Sequence, residues 1–133
     1  MMLSNTQLAT TVLVIDDQET LLTVVLDMLT AKGMNVLTAR SGREGLRMFQ
    51  ENAQTIDVVL LDMKMPDLNG DEVFAELEAL DPEVRVIITT GYEEREALAH
   101  FNGQQKVAFI QKPYRFKILV EMIAAILAEK HVV

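Results

Sequence analysis

The chain has 133 residues, half of them hydrophobic, no cysteine and a formal net charge of −8. That length fits one domain with a real core and leaves no room for two; the missing cysteines exclude disulfides, a thiol nucleophile and a cysteine-based zinc site, and fit a reducing compartment. The acidic balance, 12 Lys and Arg against 20 Asp and Glu, argues against nucleic acid or an anionic membrane as a partner.

The opening MMLSNTQLAT lacks the basic start and long apolar run of a secretory signal. The most apolar stretch, Ile118 to Ala128, is interrupted by Glu121 and reads as a packed helix rather than a membrane span. The expectation is a soluble, cytoplasmic protein with a flexible tail over residues 1–10 and one domain over 11–130.

Strand and helix alternate along that domain. Thr11–Ile15 is a short, β-branched apolar run, as a buried parallel strand should be. Residues 19–32 follow with Leu22, Val25, Leu26 and Leu29 on one helical face, and Gly33 is a natural stop. Residues 34–39 read as the second strand. Ser41-Gly42-Arg43-Glu44 has the form of a capping box opening a helix over 42–53. Residues 57–61 form the third strand. Asn69 is placed to cap a helix from Gly70 to Leu80, which Asp81-Pro82 ends. Residues 84–89 are the fourth strand, 93–101 a weaker fourth helix, and 107–110 the fifth strand. The last helix starts after Pro113 and runs to about Glu129, with Ile118, Leu119, Met122, Ile123 and Ile126 inward. The implied fold class is α/β: one doubly wound, five-stranded parallel sheet, flavodoxin-like, with helices on both faces.

Sheets of this kind bind ligands beyond the carboxyl ends of their strands. Strand one ends in Asp16-Asp17, strand three in Asp62, strand four in Thr89-Thr90-Gly91 and strand five in Gln111-Lys112-Pro113. Taken singly, each has an ordinary explanation: Asp17 as a helix cap, Asp62 as a turn former, the threonines as structural, Lys112 as a solvated side chain. Together they bring three carboxylates, a hydroxyl and an ammonium to one rim. Three adjacent carboxylates repel one another, and a hard divalent cation such as Mg²⁺ or Mn²⁺ relieves that conflict with oxygen ligands.

Asp16-Asp17, Asp62 followed by Met63-Lys64-Met65-Pro66-Asp67-Leu68-Asn69-Gly70, then Thr90-Gly91 and Lys112-Pro113, in that order and on those strand ends, resemble the receiver domains of two-component response regulators. The resemblance covers about residues 11–129. It implies strand order 2-1-3-4-5, Asp62 as the acceptor of a phosphoryl group, and Mg²⁺ held by Asp16, Asp17, Asp62 and the backbone carbonyl of Lys64. It further implies that Thr90 and Lys112 contact phosphoryl oxygens and that Thr90 and the aromatic on strand five, here Phe109, move on switching. Strand alternation keeps Thr89 and Thr90 from both reaching the phosphate, and the family pattern favours Thr90. The partner it implies is a sensor histidine kinase or histidine phosphotransfer domain, docked on the first helix and the rim around Asp62. The face of the fourth helix, fifth strand and fifth helix is the expected output surface, with a homodimer as one use of it. Such a domain modifies itself rather than turning over a substrate, so it is not an enzyme in the ordinary sense.

Phe109 stands where many receivers have Tyr; lacking the hydroxyl, it would switch through packing alone, unless it is plain core. His100 and His131 lack partners at metal-ligand spacing. Met63 and Met65 read as gap fillers beside the site, and Glu93-Glu94-Arg95-Glu96 as an exposed first turn with favourable charge for its helix.

Three other readings share parts of this pattern. A flavodoxin-like nucleotide binder needs a loop that welcomes phosphate after strand one, and Asp16-Asp17-Gln18-Glu19 does not supply it. A haloacid-dehalogenase-type phosphatase needs Asp-x-Asp, and Asp62-Met63-Lys64 lacks the second Asp. A receiver-like interaction scaffold that has abandoned phosphate has no need of the intact acidic pair, Asp62, Thr90 and Lys112. The run Thr90-Gly91-Tyr92 with Lys112-Pro113-Tyr114-Arg115 resembles the receivers of hybrid histidine kinases. The expectation from a sequence that stops soon after the fifth helix is a free-standing regulator or a receiver of such a kinase.

Lys64 and Tyr92, two residues after Asp62 and Thr90, should flank the entrance to a phosphoryl group, and their bulk should hinder the attacking water. The expected outcome is a long-lived modified form whose decay is faster in Tyr92→Ala; equal decay in parent and variant would reduce Tyr92 to a solvated surface side chain.

Overall fold

The computed structural model describes residues 9–91 and 107–130. In chain order the elements are β1 (Thr11–Ile15), α1 (Glu19–Ala31), β2 (Asn35–Ala39), α2 (Gly42–Asn52), β3 (Val58–Asp62), α3 (Gly70–Leu80), β4 (Val86–Thr90), β5 (Val107–Gln111) and α4 (Phe116–Lys130). The strands are all parallel, in the order β2-β1-β3-β4-β5. This is the α/β, flavodoxin-like architecture expected from the sequence. The fourth helix predicted over 93–101 lies outside the described residues, as do Tyr92, His100, His131 and most of the predicted tail.

Alternation along the strands divides the core into two layers. Val12, Val14, Val58, Leu60, Ile87 and Ile110 meet Leu22, Val25 and Leu29 of α1 and Leu119, Ile123 and Ile126 of α4. Leu13, Ile15, Val59, Leu61, Val86 and Ile88 meet Phe49 of α2 and Val73, Phe74 and Leu77 of α3. β1 and β3, between other strands and covered on both sides, are accordingly apolar throughout apart from their ends. Burying these faces is what draws the strand ends into a single rim.

Two residues predicted to face inward do not. Leu26 is 36% and Ile118 42% exposed. In α1 the triplet Leu22, Val25 and Leu29 already fills the contact with the sheet, and Leu26 lies one residue past that stripe. In α4 the stripe is Leu119, Ile123 and Ile126, with Met122 only partly buried at its margin. Strands three and four are each shifted toward their carboxyl ends relative to the sequence expectation, because pairing of Asp62 with Thr89 extends the ladder to the rim. At the foot of β3, Asp57 takes the Thr11 amide on its carboxylate at 2.8 Å. The last helix begins only at Phe116.

The predicted cap of α2 forms with one change. Ser41 Oγ accepts the Glu44 amide at 3.1 Å, but the Glu44 carboxylate takes the Arg40 amide, at 2.7 Å, one residue before the cap. Asp67, from the loop after β3, accepts the amides of Gly42 and Arg43 at 3.0 and 2.9 Å, so this helix start and that loop are tied together.

Gly45 marks where α2 comes closest to β1. A Cβ there would stand 2.4 Å from Cδ1 of the fully buried Ile15. Overpacking of this kind costs about 1–3 kcal/mol, against a gain of at most about 1 kcal/mol from better helix propensity. Gly45→Ala should therefore lower stability by about 1 kcal/mol in thermal unfolding, and a Tm at or above that of the parent would mean that Ile15 gives way without cost.

Candidate functional site

Each charged group at the rim ends a strand or follows one. Asp16 and Asp17 follow β1, Asp62 is the last residue of β3, and Lys112 follows β5. Asp16 and Asp62 are only 3% and 6% exposed, whereas Asp17 is exposed. The three carboxylates each offer an oxygen within 4.8 Å of the others. Lys112 Nζ lies 2.9 Å from Asp16 Oδ2 and 3.4 Å from Asp62 Oδ1. Its amide donates to the Thr90 carbonyl at 2.7 Å, which ties the end of β5 to that of β4; the Lys112–Pro113 peptide is cis. The cleft above Asp62, about 290 Å³, is lined by Asp17, Gln18, Asp62, Lys64, Gly91 and Lys112.

Burial dominates at Asp62. It raises the Asp62 carboxyl to about 6, helped by the Asp16 charge and opposed by Lys112 and by the Lys64 amide, which donates to the carboxylate. Burial alone would lower Lys112, but its hydrogen bond to Asp16 and the charges of Asp62 and Asp16 outweigh that and hold it above its ordinary value. The Tyr114 phenol, half-buried nearby, is pushed up to about 12 by burial and by Asp16 and Asp62.

The loop from β3 to α3 is held closely. The Gly70 amide donates to the Met63 carbonyl at 2.7 Å, and a Cβ at Gly70 would stand 2.7 Å from Met63 Cα, so the chain closes here only with glycine. Asn69 opens α3 as predicted, its amide donating to Glu72 Oε1 at 2.9 Å. The Asp67 carboxylate is held below its usual range: its small burial cost is outweighed by the amides of Arg43, Gly42 and Leu68. Met63 and Met65 are buried in the core, as fillers.

The sequence-predicted residues Asp16, Asp17, Asp62 and Lys112 thus come together, with Lys64 at the same cleft. The two threonines divide. Thr89, in register with Asp62, is the one whose hydroxyl reaches it, at 3.5 Å, the outer limit of a hydrogen bond. Thr90, 4% exposed, follows Ile88 in strand parity, on the side where Phe109 packs against the α2 and α3 core. Asp17 was one candidate to cap α1; that position belongs to Gln18, and Asp16 Oδ1 takes the Gln18 amide at 2.9 Å. Sequence reasoning passed over Gln18, Tyr114 and Asp67. Only Gln18 carried a signal, as a long side chain at a helix start that favours short ones.

Comparison with known proteins shows the family. The family model described as the response regulator receiver domain matches residues 12–124. The chain belongs to the response regulator receiver domain family. A receiver domain protein from Clostridium thermocellum superposes with a TM-score of 0.84 at 38% identity, over 91% of this chain and 96% of that one. The receiver of the hybrid histidine kinase CckA gives 0.76 at 28% identity, over 88% and 98%. The transcriptional regulatory protein GlrR of Escherichia coli K12 is 35% identical over 101 residues, which is 76% of this chain but 22% of that protein. The chain thus spans about a fifth of the length of such curated relatives. Receivers of this family serve phosphorelay signalling between histidine kinases or phosphotransfer partners and their targets. Among the described residues no helix is long and apolar enough to cross a membrane.

The raised Asp62 carboxyl has a consequence for stability. Its folded value, about 6, lies above the unfolded 3.8, so the folded state holds the extra proton between them and loses stability as pH rises through that window. The cost at neutral pH is on the order of 2 kcal/mol once solvent screening at the open rim is allowed for. Asp62→Asn, assayed with EDTA, should be more stable than the parent at pH 7.5 and lose that advantage by pH 4. An advantage independent of pH would trace to packing instead.

Proposed function

We propose that this receiver accepts a phosphoryl group on Asp62 from a phosphohistidine partner and changes conformation in response. The observation that carries the reading is the cluster itself: three carboxylates within 4.8 Å, two of them buried, with one ammonium between them.

An Asp62 oxygen attacks phosphorus in line, the phosphorus–nitrogen bond to the donor imidazole breaks, and an acyl phosphate forms. The Lys112 ammonium then balances the new charge. Return to the resting state is attack by water on phosphorus, which breaks the phosphorus–oxygen bond and releases inorganic phosphate with the carboxylate restored. The hard, like-charged oxygens of Asp16, Asp17 and Asp62 fit Mg²⁺, or Mn²⁺, with the Lys64 carbonyl completing the protein's share. When bound, such a cation supplies positive charge to the transferring phosphoryl oxygens. Thr90, which in the unmodified protein lies on the Phe109 side of the sheet, is the last residue of β4 and swings over the strand end to bring its hydroxyl to the phosphoryl group, and Phe109 follows it through packing. The domain completes this cycle on itself and turns over no separate substrate.

Docking of the donor is supported by the outer surface of α1. Val24 and Met28 are 49% and 42% exposed, and Leu21 lines a cleft of about 370 Å³ with Gln18, Lys112, Pro113 and Tyr114. An apolar patch beside the acceptor suits a helical phosphohistidine domain. Output, including any homodimer, is assigned to the edge strand β5 and the exposed side of α4, together with the helix predicted over 93–101.

Acetyl phosphate with Mg²⁺ should add one phosphoryl group to the intact mass, and Asp62→Asn or omission of Mg²⁺ should abolish it. Thr90→Ala should lose the conformational response while still accepting the group, and Thr89→Ala should keep both. No adduct, where a control receiver is modified, would favour a phosphate-independent interaction scaffold; loss of the response in Thr89→Ala alone would move the switch role to that residue.

A further inference from the structure

The Lys112 ammonium has three protons to donate, and it stands near acceptors on three residues: Asp16 Oδ2 at 2.9 Å, Asp62 Oδ1 at 3.4 Å and Gln18 Oε1 at 3.4 Å. The third acceptor is the neutral one, and its contact is long, near the outer limit of a hydrogen bond. Gln18 sits at the N-cap of α1, where Ser, Thr, Asp and Asn are favoured because a short side chain can turn back onto the helix amides. Its side chain makes no such bond. Its main chain is fixed on both sides, the amide on Asp16 Oδ1 at 2.9 Å and the carbonyl on the Leu22 amide at 3.0 Å. From that fixed base the side chain borders the cleft that it lines with Asp62 and Lys112, with Oε1 turned to the ammonium.

We propose that Gln18 is a positioning residue for phosphoryl transfer: its side-chain carbonyl holds the third proton of Lys112 in the unmodified protein and yields that place to a phosphoryl oxygen once Asp62 is modified. This rests on the phosphoacceptor reading of Asp62. Gln18 is the acceptor that gives way because its bond is neutral and exposed, whereas the bond to buried Asp16 is shorter and joins opposite charges. Without Gln18 the ammonium is drawn inward between Asp16 and Asp62, where it neutralises the nucleophile and turns away from the incoming group.

The test uses the full chain with acetyl phosphate and Mg²⁺, comparing the parent with Gln18→Ser and Gln18→Glu. Serine is the better N-cap but too short to reach Lys112, so Gln18→Ser should keep or raise the Tm. Its maximal rate of modification should fall about fivefold, the kinetic equivalent of one weak hydrogen bond, with the half-saturating donor concentration unchanged. The ζ-ammonium resonance of Lys112 in ¹⁵N NMR of the unmodified protein should shift in Gln18→Ser and stay anchored in Gln18→Glu. In a Lys112→Ala background the Gln18→Ser effect should vanish. An unmoved Lys112 resonance in Gln18→Ser, a rate that only tracks Tm, or an effect that persists without Lys112 would overturn the assignment. Should the parent itself take no phosphoryl group, the phosphoacceptor reading fails together with the yielding step, and the ammonium resonance by itself decides whether Gln18 anchors Lys112.

Discussion

Three carboxylates held within 4.8 Å of one another, two of them nearly out of reach of water, form an arrangement that a folded chain has to enforce against their mutual repulsion. The enforcement comes from the sheet. β1 and β3 are apolar apart from one end residue each and covered on both sides, so their ends are fixed by the burial of Val12 through Ile15 and Val58 through Leu61. The single ammonium of Lys112 reaches two of the carboxylates from the end of β5, itself latched to β4 through the Thr90 carbonyl. Hydrophobic burial in the body of the sheet thus holds the charge conflict at its rim, and the proposed chemistry draws on that conflict.

The loops around the rim follow the same logic. The turn after β3 carries Lys64 over the cleft and would be free to drift were it not closed by Gly70 on Met63 and tied by Asp67 to the start of α2. Asp67 does two tasks with one carboxylate: it satisfies amides that the helix start leaves unpaired and it fixes the loop that borders the site. On the other side, the parity of β4 assigns its two hydroxyls to opposite faces, Thr89 toward Asp62 and Thr90 toward the layer of Phe109. In the proposed cycle, that shared layer is what would pass movement at the rim into the packing of β5.

The alternating pattern of short apolar runs and amphipathic segments was enough to read the α/β class, the described elements to within a few residues, and the convergence of Asp16, Asp17, Asp62 and Lys112. The reason is physical: period-2 and period-3.6 burial are local signals, and parallel connections put every strand end on one side. Residues such as Leu26 and Ile118 were misassigned because a helical stripe is only as wide as the surface it meets, and that surface belongs to other parts of the chain. What the sequence by itself determined is therefore the set of groups and the rim they share. Only the tertiary structure decided that Thr89 rather than Thr90 faces Asp62, that Asp67 accepts the first amides of a helix 24 and 25 residues before it, and that Gln18 comes within reach of Lys112 across 94 residues of chain. Those are distances between strand ends and loops, set by register and by which backbone amides are left unpaired, and no local pattern encodes them.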